Sequence, residues 1–175
     1  MKISSIKIVI RSDNKAAISE FIRRIPGRVY TDETTAQIIG ADFTLSEREA
    51  GDGAIHLYIW IVNNHPSFSP LRQHYLQGAK IHAMFIDASN PESIQQVAEW
   101  KAEAGEVMEE ATGMIVATNI NKVPDNVKVE EKIGELALHL GLEAVLVSTE
   151  TEADYAAAIK TFLERVDRIA MASCT

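Results

Sequence analysis

Between Ala54 and Trp100 the hydrophobic pattern twice takes the form of a buried strand and twice hands over to a helix. Ile55, Leu57, Ile59 and Ile61 alternate with His56, Tyr58, Trp60 and Val62. This period of two becomes almost wholly apolar toward its C-terminal end, as a strand entering a buried sheet does. The run stops at Asn63-Asn64-His65-Pro66. A second apolar run, Ile81 to Ala88, leads into Ser89-Asn90-Pro91-Glu92, where Asn90 is placed as an N-cap and Pro91 as the first helical residue. With a helix between the two runs they make a βαβ unit, which implies a parallel sheet with its functional loops at the strands' C-terminal ends.

The rest of the chain repeats this alternation. A first strand spans Ile3 to Arg11, with Ile6, Ile8 and Ile10 on one face and Lys7 and Val9 on the other. Ser12-Asp13-Asn14 form a turn and helix cap, and Ile18, Phe21, Ile22 and Ile25 recur at helical spacing as far as Pro26-Gly27. The next strand begins in the run Ile38 to Phe43, and the turn Glu49 to Gly53 closes a hairpin onto the strand at Ala54, so this edge is antiparallel. A long helix is expected from Pro91 to about Glu110, then a strand from Met114 to Thr118. A helix through Val129, Ile133, Leu136 and Leu140 follows, with Gly141 as its C-terminal cap. The last strand covers Ala144 to Ser148, Thr151 to Asp154 have the form of a capping box, and Ile159, Phe162, Leu163, Val166 and Ile169 line the final helix. The expectation is a single α/β domain over residues 1–175, with a mixed, mostly parallel sheet of about six strands flanked by about five helices.

Composition narrows the function classes. The chain has 175 residues, 46% of them hydrophobic and 24% charged, which is ordinary globular composition and excludes a disordered or fibrous protein. No run approaches the roughly 20 apolar residues of a membrane span, and the N-terminus lacks the signature of a secretory signal, so a cytoplasmic protein without membrane insertion is expected. A net charge of −8 argues against general nucleic-acid binding, which needs a basic face. Cys174, the one cysteine, has no internal disulfide partner.

Three stretches carry a resemblance. Trp60-Ile61-Val62-Asn63-Asn64-His65-Pro66-Ser67-Phe68, Tyr75-Leu76-Gln77-Gly78-Ala79 and Asp87-Ala88-Ser89-Asn90-Pro91-Glu92-Ser93-Ile94 are similar in frame to W-D-T-A-G-Q-E-R-F, Y-Y-R-G-A and D-V-T-N-x-E-S-F. These are motifs of Ras/Rab-type small GTPases, and the order of strands and helices resembles that P-loop fold over essentially the whole chain. The Ser-Cys-Thr tail is neither a C-a-a-X box nor a cysteine pair, so prenylation is not implied.

Within this frame the residues that carry the family's chemistry differ. The phosphate-binding loop, K-V-V-L-L-G-D-S-G-V-G-K-S-S in the family, corresponds to Lys7 through Glu20. Ser12, Lys15 and Ala17 stand at the glycine positions and Ile18 at the lysine, while Asp13 and the magnesium-ligand serine, Ser19, are kept. Ile61 replaces the magnesium aspartate, Ile38 the switch threonine (with Thr34 and Thr35 upstream) and Asn64 the switch glycine. His65 stands at the catalytic glutamine. The base-recognition motif N-K-x-D falls on Thr118-Asn119-Ile120-Asn121, and the S-A-K loop on Ser148-Thr149-Glu150. An amide at Asn121 offers one oxygen and one NH2 where an aspartate accepts two guanine donors. Ile18, Ile38, Ile61 and Val62 are all aliphatic, and the frame predicts that they converge on the former metal and phosphate site and fill it.

The resemblance therefore implies a small GTPase-like protein without cofactor, metal or catalytic residues, acting on a protein partner through its switch-like surface. The alternative is an atypical enzyme that binds GTP or GDP with magnesium and turns over slowly, using Lys15 as phosphate cation and Asn119 or Asn121 at the base. Oligomeric state is left open. The five histidines, His56, His65, His74, His82 and His139, show no metal-ligand spacing, and no G-x-S-x-G, C-x-x-C or G-x-G-x-x-G is present. The acidic run Glu99 to Glu110 reads as a solvated helix face.

Overall fold

Alternating isoleucines make the first strand, β1 (Lys2–Ser12), a two-faced element. Ile6, Ile8 and Ile10 are buried on one side, and Val9 and Arg11 on the other. The computed structural model describes residues 2–32, 40–50, 53–108 and 110–172. β1 lies at the centre of a seven-stranded sheet completed by β2 (Arg28–Asp32), β3 (Ala41–Ala50), β4 (Gly53–Val62), β5 (Ile81–Asp87), β6 (Thr112–Thr118) and β7 (Glu143–Leu146). The order is β2-β3-β4-β1-β5-β6-β7, with β4, β1, β5, β6 and β7 parallel and the hairpin strands β2 and β3 antiparallel. The strand beyond the six expected is β2: its five residues are held by pairing with β3, Tyr30 opposite Leu45, rather than by an apolar pattern of their own.

Among the described residues five α-helices cover the sheet: α1 (Lys15–Arg23), α2 (Ser69–Leu76), α3 (Pro91–Ala104), α4 (Asn126–Leu140) and α5 (Glu152–Ala172). α1 and α5 pack on the Ile6/Ile8/Ile10 face, where Phe21 meets Phe85 at 5.1 Å and Phe162 at 5.2 Å, both edge-to-face. Each such aromatic contributes about 2–3 kcal/mol by leaving water. On the opposite face Ile94, Val97 and Trp100 of α3 and Ile133 and Ala137 of α4 cover Met84, Ile86, Ile115 and Ala117, while Leu76 of α2 lies against Val9 and Val62.

Local signals set the helix ends. Asn90 Oδ1 accepts from Glu92 N at 3.1 Å, and Asp154 N donates to Thr151 Oγ1 at 3.1 Å. Gly141 closes α4 in the left-handed region, φ 66°. Gly105, φ 53°, also stops α3, so the helix ends at Ala104 rather than near Glu110 and gives way to a short 3-10 turn, Gly105–Met108. β7 ends at Leu146, two residues before the expected Ser148, which belongs to the loop that follows. Ile38, Thr34, Thr35 and Cys174 lie outside the described residues.

Candidate functional site

Asp13 and Asn14 alone separate β1 from α1, and their neighbourhood is satisfied from within. Asn14 Oδ1 accepts from Ala17 N at 3.1 Å, and Asn14 N donates to Ser12 Oγ at 2.9 Å. A first-turn amide of α1, one of the groups an anion at a helix N-terminus would need, is thus taken by a side-chain cap. Lys15 turns to Asp42 on β3, Nζ to Oδ2 2.7 Å. Asp13 Oδ1 accepts from Ser93 Oγ at 3.3 Å. Ile18 is buried in the core beneath α1, and Ser19 is exposed on its outer side.

The expected convergence of aliphatic residues does not occur as a filled pocket. Adjacent strand residues project to opposite faces, so Ile61 packs with the α1/α5 core while Val62 packs beneath α2 with Val9 and Ala41. A cavity of about 640 Å³ stays open at the strand ends. Ser12, Asp13, Lys15, Ile18, Ile61, Val62 and Asn64 line it, so the structure brings together seven of the positions picked out by the sequence frame.

Its far wall is a charge network that the sequence pattern did not indicate. Glu103 of α3 reaches Arg11 (Oε2 to Nη2, 2.8 Å) and Arg72 of α2 (Oε1 to Nε, 2.7 Å). Arg11 Nε donates to Asn64 Oδ1 at 3.1 Å, and Asn64 Nδ2 donates to Ser12 O at 2.7 Å. Arg72 Nη1 donates to the carbonyls of Asn63 at 3.1 Å and His65 at 3.0 Å. Asn64 and the loop after β4 are therefore tied to both β1 and α3. Glu103, inside the acidic run read as solvated, has its side chain only 27% exposed. Burial pushes its pKa up, but the hydrogen bonds and charges of Arg72 and Arg11 together hold it below the usual glutamate value. Burial also lowers the Arg11 pKa, against the pull of Glu103. Next to them, burial and then the Arg11 charge push His82 down to about 3, which keeps its imidazole neutral. The available sequence signal was Arg11 itself, a charge ending an apolar strand, which demands a partner when buried.

His65 sits exposed at the head of the 3-10 turn Pro66–Phe68, with Nδ1 2.7 Å from Ser67 Oγ and 3.3 Å from Ser67 N. Its ring caps this turn.

A second cavity, about 530 Å³, lies between the start of α1 and the loops after β6 and β7. Asn119, in the left-handed region at φ 59°, lines it and donates through Nδ2 to Asp87 Oδ2 at 3.0 Å. Thr149 links the two asparagines: its Oγ1 donates to Asn119 Oδ1 at 3.1 Å and its N to Asn121 Oδ1 at 2.9 Å. Ser148 Oγ accepts from Glu150 N at 3.4 Å. Thr149 thus ties the two loops together through Asn119 and Asn121, while Asn119 is also anchored to the end of β5 and Ser148 is engaged within its own loop.

A surface the sequence reading did not assign residue by residue lies on the α2 side of β3 and β4. Phe43 and Trp60, opposite each other across the strands, have ring centroids 4.9 Å apart, and Trp60 continues to Tyr75 of α2 at 5.4 Å. All three are half-buried, and Tyr30 at the sheet edge is 52% exposed. The signal was the placing of Tyr58 and Trp60 at the positions alternate to the core isoleucines.

Among the described residues no three His, Cys, Asp or Glu side chains gather as for a metal ion, and no helix is long and apolar enough to cross a membrane. Compared with known proteins, the chain matches the family model described as Ras family over residues 8–168.

Proposed function

The chain belongs to the Ras family, and from that premise we propose that it is a small GTPase-like module that works without nucleotide, binding a protein partner as a scaffold or regulator. The observation that carries this reading is the self-capped turn between β1 and α1: Asn14 takes the Ala17 amide and Asp42 takes the Lys15 ammonium. A triphosphate there needs free amides and a free cation, and a magnesium ion needs a carboxylate where Ile61 stands. The residues present do not fit magnesium-bound GTP or GDP. Protein binding is supported by the half-buried aromatic row Phe43, Trp60 and Tyr75, since aromatic side chains that combine an apolar body with a polar edge are enriched at interfaces.

Isothermal titration with GTP and GDP, each with and without Mg²⁺, tests this reading. No saturable heat is expected at millimolar nucleotide. A micromolar or tighter Kd would overturn it in favour of a nucleotide-binding protein with slow hydrolysis.

A further inference from the structure

We propose that the cavity at the ends of β1 and β4 takes a basic side chain, an arginine or lysine of a protein partner. This inference rests on the nucleotide-free reading above and names the chemistry of the partner. Every cation on the cavity wall is already paired: Arg11 and Arg72 share Glu103, and Lys15 holds Asp42. The carboxylates of Asp13 and Glu99, both exposed on the same wall, form no ion pair among the described residues.

The unfilled hydrogen-bonding capacity has the same sign. Gln96 Oε1 and Asp42 Oδ1 are buried and accept no hydrogen bond among the described residues, and Asp42 as a whole is only 7% exposed. The unfilled donor, Arg11 Nη1, belongs to a guanidinium that Glu103 and Asn64 already hold and that lies over the Trp100 ring at 5.3 Å. A guanidinium or ammonium entering the cavity meets acceptors and unpaired carboxylates. An anion meets cations that are already satisfied.

Two further observations place this side chain on a protein. The cavity lies near the aromatic row: Ala41 and Val62, which line it, belong to the cluster against which Trp60 and Tyr75 pack. The chain's net charge of −8 favours encounter with a basic partner.

The probe is a fluorescein-labelled Gly-Ser peptide carrying two arginines, followed by anisotropy, with a glutamate version of the same peptide for comparison. The arginine peptide is expected to bind saturably and the glutamate peptide not to bind. Asp13→Asn with Glu99→Gln should weaken the arginine peptide about fivefold, as befits two exposed charge contacts. Glu131→Gln with Glu135→Gln on α4 changes net charge equally and should leave it unmoved. All four substituted positions are exposed, so these variants keep the core intact. Equal weakening by both variant pairs, equal binding of the glutamate peptide, or no binding of the arginine peptide at millimolar concentration would overturn the proposal. A parallel titration with Mg²⁺-GTP separates the two readings: saturable nucleotide binding defeats the nucleotide-free reading, whereas peptide failure without nucleotide binding defeats only this inference.

Discussion

Arg11 at the end of β1 and Glu103 at the end of α3 form an ion pair of 2.8 Å whose arginine is only 2% exposed. The guanidinium is charged even in the interior and Glu103 compensates it; Glu103 also holds Arg72, whose other contacts fix the backbone at Asn63 and His65. Removing one partner of a buried pair leaves an uncompensated charge, which costs more than the pair itself is worth. Glu103→Ala should therefore lower the unfolding free energy by about 3 kcal/mol, with Glu103→Gln costing less because one acceptor remains. Urea denaturation at neutral pH measures both, and an Ala variant as stable as the wild type would show that the network carries no weight.

The same carboxylate gives an acid limb to stability. The folded-state pKa of Glu103 lies below its unfolded value, so the stabilisation is present above the ordinary glutamate value of 4.5 and is lost as pH falls through the folded pKa. Unfolding midpoints of the wild type should fall more steeply below about pH 4.5 than those of Glu103→Gln.

His82 adds a separate limb at higher pH. Its folded pKa of about 3 lies far below the ordinary histidine value of 6.5, so the unfolded chain takes up a proton that the folded chain refuses. Stability is full above pH 6.5 and falls as pH drops toward 3, by about 1 kcal/mol per pH unit once below 6. Urea midpoints at pH 7, 6 and 5 should show this slope in the wild type and a shallower one in His82→Leu. A wild type flat between pH 7 and 5 would refute the assignment.

How much of this was legible depends on whether the cause was local. The strand at Gly53–Val62, the caps at Asn90 and Thr151 and the stop at Gly141 are set by neighbours within a few residues, and the pattern of the chain shows them. β2 is held by residues in β3, and its own five residues offer only the short β-forming run Val29-Tyr30-Thr31 with one side chain on the core. The site was half legible: Asp13, Lys15, Ile18, Ile61, Val62 and Asn64 do line one cavity. Its polarity was not, because Arg11, Arg72 and Glu103 come from three elements and meet only once the sheet is assembled. Ile61 and Val62 do reach that cavity together, but as adjacent strand residues they project to opposite faces and so line it without filling it.

Strand register also sets the outcome of restoring a carboxylate at position 61. Ile61 pairs across the strands with Asp42, so Ile61→Asp places two acids opposite each other above an aliphatic core. A loss of about 2 kcal/mol in stability at neutral pH is expected, unrelieved by millimolar Mg²⁺. Recovery of stability with Mg²⁺ would show that a metal site survives.

Gly40 tests the contact between the start of β3 and the loop after β4. Its φ is +76°, and a Cβ there would stand 2.5 Å from Phe68 Cδ1. Gly40→Ala should cost about 2 kcal/mol through backbone strain and displacement of the Phe68 ring. A thermal melt within a degree of the wild type would contradict this packing.

The most direct measurement is the melting temperature of the wild type with and without millimolar Mg²⁺-GTP. A ligand that binds only the folded state stabilises it by RT ln(1 + [L]/Kd), about 4 kcal/mol at a thousandfold excess over Kd. For a chain of this size that corresponds to a rise of roughly 10 °C. With Ala17 N capped by Asn14, Lys15 held by Asp42 and Ile61 at the metal position, the melting temperature should be unchanged by nucleotide. A rise of several degrees would contradict the nucleotide-free reading.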